Sequence, residues 1–344
     1  MANNLLTYSG ITAKVKAMES NLLKNDDYVK ISNLETVSEF ISFLKSNPTY
    51  EPLFSGFDEG SLHRGQVEEI IVNSLFNSYS RIYRFCNREQ RKALLFLSFR
   101  FETNIIKYCL QHVFNNECEY KGSSLDPFLS KRLKINLEQL YTAKSMDEFI
   151  NVLKDTEYYP IFKAIQNTNN PTLFDYEIQL DINYFKKVWK MKDKYLKGDS
   201  NKAYTEILGK QVDLLNIMWI YRSKKYYDID PTKIYSYIIP ISYKLKKKEI
   251  TALIESNSVE ELITLVNNSY YVKVYGITEI TSFENLYRTL LSKIYKSNKQ
   301  KYPNSMAPVQ QYLYFKELEI DNLTTVLECI RYRLQPNEIL SYIQ

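Results

Sequence analysis

Thr36, Val37, Ser38, Glu39, Phe40, Ile41, Ser42, Phe43 and Leu44 form one of three versions of the same nine-residue pattern. The second runs from Ser145 through Glu148, Phe149 and Ile150 to Leu153. The third runs from Ser258 through Glu261, Leu262 and Ile263 to Val266. Each opens on a hydroxyl residue and carries a Glu three positions later. That is a capping box, in which the hydroxyl takes a first-turn N–H and the Glu reaches back to the start of the helix. Apolar residues follow at +1, +4, +5 and +8, which is one face of a helix. The three starts lie 109 and 113 residues apart. A tyrosine follows each: Tyr50, Tyr158 with Tyr159, and Tyr270 with Tyr271. The pattern predicts that Thr36, Ser145 and Ser258 are helix N-caps.

A wider register surrounds these short helices. A long amphipathic stretch begins near Glu69, Asp181 and Glu284. Further on comes an acid followed by Asn: Glu102 with Asn104, Asp213 with Asn216, and Glu319 with Asn322. The third version is longer, and Pro303 to Pro308 can hold its extra residues as a loop. The predicted order is short capped helix, long helix, break, long helix, three times over. Seams near Gly122 to Pro127 and Asp228 to Pro231 divide the chain into helical units 1–122, 123–232 and 233–344. Repeats of this length are domain-sized, well beyond the period of a solenoid.

Composition agrees with an all-α chain. Among 344 residues there are 8 Gly and 10 Pro. Few chain-turning residues argue against many tight turns and for long helices. The net charge is +5, from 45 basic and 40 acidic residues, far from the imbalance of a nucleic-acid arm. The four cysteines, Cys86, Cys109, Cys118 and Cys329, are too sparse for a disulfide framework. The N-terminus lacks the basic and apolar regions of a signal peptide. The apolar run Ala93 to Phe99 is interrupted by Ser98 and ends at Arg100, so no transmembrane segment is expected. The 30 tyrosines, against 2 Trp and 2 His, read as packing material for helix contacts.

Signals for chemistry are weak. Gly60 and Gly65 have the spacing of a phosphate loop, but Gln66 and Val67 replace the Lys and Ser/Thr that such a loop needs. Cys109, His112 and Cys118 could supply three zinc ligands, yet no nearby fourth completes a structural site. Core packing fits them better. The neighbouring acids Asp26 and Asp27, Glu68 and Glu69, and Glu260 and Glu261 point to different helix faces, so none forms a ready acid–base pair. Lysines cluster at 186, 187, 190, 192, 194 and 197, at 244, 246, 247 and 248, and at 293, 296, 299 and 301. Solvated helix faces account for them more simply than a nucleic-acid track. A milder alternative is attraction to acidic partners or to an anionic membrane surface. No catalytic, cofactor or metal residue is assigned.

The stretch Tyr314 to Ile339, with Lys316, Glu319, Asn322, Arg331, Arg333, Pro336 and Glu338, resembles the end of the C subunit of the V/A-type ATPases, whose eukaryotic equivalent is the d subunit. Asp213 to Ile217, then Arg222, Lys224, Lys225 and Tyr226, and the run to Pro240 resemble its middle. Ala13 to Met18 resembles its opening. One departure is that Ile241 and Ser242 follow Pro240, where a Gly is expected beside the proline. The resemblance implies a non-catalytic rotor part made of three pseudo-equivalent helical domains arranged as a funnel. It implies a place on the cytoplasmic face of the membrane rotor ring of proteolipid subunits, holding the foot of the central shaft formed by the D and F subunits. Such a part links ATP hydrolysis or synthesis in the A/B head to proton or sodium transport, and needs no cofactor and no nucleic acid. The rival readings are a soluble helical adaptor for RNA or an acidic protein, and a metal enzyme using Cys109, His112 and Cys118.

Overall fold

A computed structural model of the chain describes residues 2–115, 133, 135–277 and 282–343. Every regular element among them is helical, and they contain no strand. The first group of helices is α1 (Ala2–Glu19), α2 (Asn25–Ser32), α3 (Val37–Lys45), α4 (Glu51–Phe54), α5 (Arg64–Phe85) and α6 (Arg88–Asn115). The second is α7 (Leu137–Thr142), α8 (Met146–Val152), α9 (Tyr159–Gln166), α10 (Leu173–Tyr195) and α11 (Gly198–Lys225). The third is α12 (Pro231–Ser236), α13 (Lys247–Glu255), α14 (Val259–Asn267), α15 (Tyr270–Tyr275), α16 (Phe283–Lys301), α17 (Ala307–Arg331) and α18 (Pro336–Tyr342).

The three capped helices form as the sequence requires. Thr36, Ser145 and Ser258 precede α3, α8 and α14, and each hydroxyl accepts the N–H of the Glu three residues on at 3.2 Å. Glu39 reaches back to the N–H groups of both Thr36 and Glu35 (3.3 and 2.9 Å). Glu148 and Glu261 instead reach one residue further, to the N–H of Lys144 (2.8 Å) and Asn257 (2.7 Å). The face so aligned is driven inward. Phe40, Ile41, Leu44, Phe149, Ile150, Leu153 and Leu262 are fully buried. Burying one such side chain is worth roughly 1.5–3 kcal/mol, more than the cap itself.

The predicted order of short and long helices is also present, with shifted starts. The long helices begin at Arg64, Leu173 and Phe283, so Glu69, Asp181 and Glu284 fall at unequal depths within them. The extra residues of the third version lie before Ala307, with Pro308 in the first turn of α17, where its missing N–H costs nothing. The seam at 122–127 lies outside the described residues. At the other seam, Asp228 takes a left-handed conformation (φ 45°), and Asp230 caps the helix that opens at Pro231.

The helices pack into two compact units. One takes the described residues up to Arg88 and again from Pro303; the other takes those between Glu89 and Tyr302. In the first, α17 lies along α5 and α1 and touches α3, while α18 packs on α2. In the second, α11 packs against α10, α13, α14 and α16. Also in the second, Ile106, Cys109 and Leu110 of α6 share a core with Phe149, Ile150, Phe162, Tyr176 and Leu180. Each long helix that carries the acid therefore packs on capped helices, which for α6 and α11 are those that follow in sequence. For α17 these are the helices at the start of the chain.

Candidate functional site

The acids of the three registers are each buried and each meet a tyrosine. In the first unit, Lys316 and Glu319 are one turn apart on α17, where i and i+3 share a face. They are 0% and 3% exposed. The Lys316 ammonium donates to Glu319 Oε1 and to Tyr50 Oη, both at 2.7 Å. The Tyr50 hydroxyl donates to the same Glu319 oxygen at 2.7 Å. The other oxygen, Oε2, accepts the N–H of Leu23 at 2.5 Å. Asn322, one further turn along, bonds Tyr28 of α2. Burial pushes the Tyr50 hydroxyl well above its ordinary range, and the Glu319 carboxylate adds to that. Burial also draws Lys316 below the usual lysine value against the pull of Glu319. The cluster ties the N-terminal helices to a helix near the C-terminus.

In the second unit, Asp213 of α11 is fully buried. Its Oδ2 accepts the Tyr271 hydroxyl at 2.7 Å, the Lys244 N–H at 2.6 Å and the Leu245 N–H at 3.0 Å. Its Oδ1 accepts the Tyr243 N–H at 3.2 Å. Asn216, three residues on, grips Ile239 through both backbone groups, accepting its N–H (2.9 Å) and donating to its carbonyl (3.1 Å). Between these anchors the Ile241 N–H bonds the Ile239 carbonyl at 2.7 Å, closing a three-residue turn centred on Pro240. Proline's fixed φ suits that turn, so no glycine is needed beside it. Gly209 permits the close approach: a Cβ there would come within 2.8 Å of Tyr243 Cβ. Burial raises Asp213 against the pull of its four donors, and raises Tyr271 far above the ordinary tyrosine value.

The third acid, Glu102 of α6, is 4% exposed. Burial, and then the Glu102 carboxylate, push Tyr158 far up, and Glu102 is among its hydrogen-bond partners. Asn104, two residues beyond Glu102, is exposed. Its spacing of two turns it off the face that Asn216 and Asn322 share at a spacing of three. The acid and tyrosine parts of the register thus hold in three places, the Asn part in two.

A model of the family described as ATP synthase (C/AC39) subunit matches residues 11–342. The chain belongs to that family. It is 25% identical to the C subunit of the A-type ATP synthase of Methanobrevibacter smithii, over 97% of this chain and 87% of that protein. It is 26% identical to the same-named protein of Methanococcoides burtonii, over 93% of this chain and 89% of that protein. The Methanocaldococcus jannaschii protein of that name is 22% identical and aligns with 100% of this chain and 88% of its own length. Among the described residues, no helix of this family member is long and apolar enough to cross a membrane.

Among the described residues of this ATP synthase component, the weaker chemical signals are not brought together. Cys109 is buried, with its thiol pushed up to about 12 by burial, which disfavours the thiolate that a metal or a nucleophile needs. The His112 ring packs edge-on to Tyr108, with ring centres 4.4 Å apart. Cys118 lies outside the described residues. No group of three His, Cys, Asp or Glu side chains suited to a metal occurs among the described residues. Gly60 lies in a turn ahead of α5, whose N-cap is His63. The lysine runs mostly face solvent, with Lys192 an exception that is 5% exposed and sits 4.4 Å from the Trp189 ring centre.

Sequence reasoning marks the acids and the tyrosines separately but does not pair them. It names Lys316 only for the resemblance, without joining it to Glu319, and passes over Lys210. Both stand three residues before a register acid, and that spacing is the available signal. Lys210, 5% exposed, turns away from Asp213 to Glu206 (2.7 Å) and the Tyr275 hydroxyl (3.1 Å). Glu206 also takes Lys301 at 2.7 Å.

Proposed function

We propose that the chain is a non-catalytic rotor component of the central stalk of an A-type ATP synthase. It would link the D and F subunits of the central shaft to the proteolipid ring, as a peripheral protein on the cytoplasmic side of the membrane. In that place it couples ATP hydrolysis or synthesis at the A/B head to proton or sodium transport. The single observation that carries this reading is the family match over residues 11–342. Three pseudo-equivalent helical domains, 1–122, 123–232 and 233–344, arranged as a funnel, belong to the same proposal. The repeated capped helices and acid–tyrosine clusters support it.

The physics of the clusters is compatible with transmitting torque. A coupling part needs close-packed helices that resist shear, since packed interiors have low compressibility. Buried polar groups that satisfy one another rigidify the joints between helices. Glu319 and Asp213 direct their lone pairs to internal donors, which is the behaviour of struts rather than of reacting groups.

Add-back to membranes stripped of the chain tests the reading. The purified chain should hydrolyse no ATP, and its return should restore ATP-driven ion transport. A complex that couples fully without the chain would overturn the proposal.

A further inference from the structure

The loop after Ile239 and the first turn of α13 carry four lysines that no acid of the described fold pairs. Lys244, Lys246, Lys247 and Lys248 are all exposed, and none forms an ion pair among the described residues. The nearest acid in sequence, Glu249, is turned to the Lys246 backbone N–H at 2.8 Å. Lys247 and Lys248 open α13, the end of a helix where the macrodipole disfavours cations. Ion pairing within the fold therefore does not account for their placement.

The backbone under these lysines is held in one geometry. Asp213 fixes the N–H groups of Tyr243, Lys244 and Leu245, and Asn216 fixes both backbone groups of Ile239. The Lys244 ammonium also lies near the Tyr243 and Tyr270 rings, 5.2 and 5.3 Å from their centres. No large apolar side chain between Tyr235 and Val274 is exposed, so nothing in this region would insert into lipid. A fluid headgroup layer would be met equally well by a flexible basic run. A pinned one suits carboxylates that are themselves fixed on a folded surface.

We propose that the Lys244–Lys248 segment is a docking surface for a carboxylate-rich loop or helix end of a neighbouring protein subunit. The proposal rests on the chain working within a multisubunit ATP synthase. Asp213 and Asn216 act as positioning residues for this surface.

Amine acetylation of the assembled complex, compared with the free chain, reads the surface directly, and zero-length carbodiimide cross-linking names the partner. The expected result is protection of these lysines in the complex and cross-links from them to Asp or Glu of another subunit. A quadruple Lys→Gln variant, which changes exposed side chains only, should keep or slightly raise its thermal midpoint. It should assemble about tenfold more weakly at low salt, with the difference vanishing at high salt. Unprotected lysines overturn the proposal. Protection that yields no protein cross-link and disappears when lipid is exchanged for detergent also overturns it, in favour of a membrane surface. Cross-links to a stationary subunit would leave the docking surface standing and sink the rotor reading.

Discussion

Glu319 and Asp213 occupy matching places in the repeat, yet the two regions neutralise a buried acid in different ways. Glu319 faces the Lys316 ammonium, a tyrosine hydroxyl and one backbone N–H. Asp213 faces a tyrosine hydroxyl and three backbone N–H groups, and the lysine one turn before it is engaged elsewhere. The first solution places two full charges where water is absent. The second spreads one charge over neutral dipoles. Coulomb attraction must offset two desolvations in the first case and only one in the second. The tyrosine is common to both, so the hydroxyl-to-carboxylate bond is the shared joint and its surroundings are the local variation.

The sharpest contrast is expected on removing the acid. Glu319→Ala strands the Lys316 ammonium and should cost about 3–5 kcal/mol in urea unfolding. Replacing both charges, as Lys316→Met with Glu319→Leu, should recover the part owed to the stranded ammonium and leave the Tyr50 hydroxyl and the Leu23 N–H unpaired, at about 1–3 kcal/mol each. If the single and double variants lose the same stability, the ion pair is not what holds the joint. Asp213→Ala strands no countercharge but leaves four donors unpaired, at about 1–3 kcal/mol for each that water does not reach. Three of the four Asp213 partners are backbone N–H groups, so full recovery of the loss by adding Tyr271→Phe would erase the distinction between the two sites.

The shared tyrosines give a pH test. Tyr50, Tyr158 and Tyr271 are all raised, chiefly by burial. The fold therefore favours the neutral phenol. Their contribution is complete below the unfolded tyrosine value of about 10 and is lost as pH rises above it. Stability should fall by roughly 1.4 kcal/mol per pH unit for each of them. Phenolate absorbance should appear together with loss of helix. Ionisation of all three with the helices intact would contradict their placement.

The smallest effects are at the caps. Thr36→Ala, Ser145→Ala and Ser258→Ala should each cost about 1 kcal/mol by thermal unfolding. Thr36 lies in the first unit and the two serines in the second. Equal losses would show that the three capped helices are energetically alike even where the acid clusters differ.

What is legible in the sequence follows the range of the interactions. Caps and apolar faces are set within nine residues, and all three are readable at Thr36, Ser145 and Ser258. The starts of the long helices are less so, because Arg64, Leu173 and Phe283 depend on tertiary packing as well as on local signals. The acid clusters are half-visible. Asp213 and Glu319 stand out as register marks, but Tyr50 lies 269 residues from Glu319, and no local pattern announces that meeting. Asn104 falls out of the register because a one-residue change of spacing rotates a side chain by about 100° around a helix.

The most direct test of the claim that these buried charges are structural uses the assembled ATP synthase. ATP-driven ion transport would be measured for complexes carrying Lys316→Met with Glu319→Leu. A folded, fully assembled complex with unchanged coupling is the result expected. A folded, fully assembled complex that hydrolyses ATP but no longer moves ions would contradict it, and would make the Lys316–Glu319 pair part of the transport chemistry.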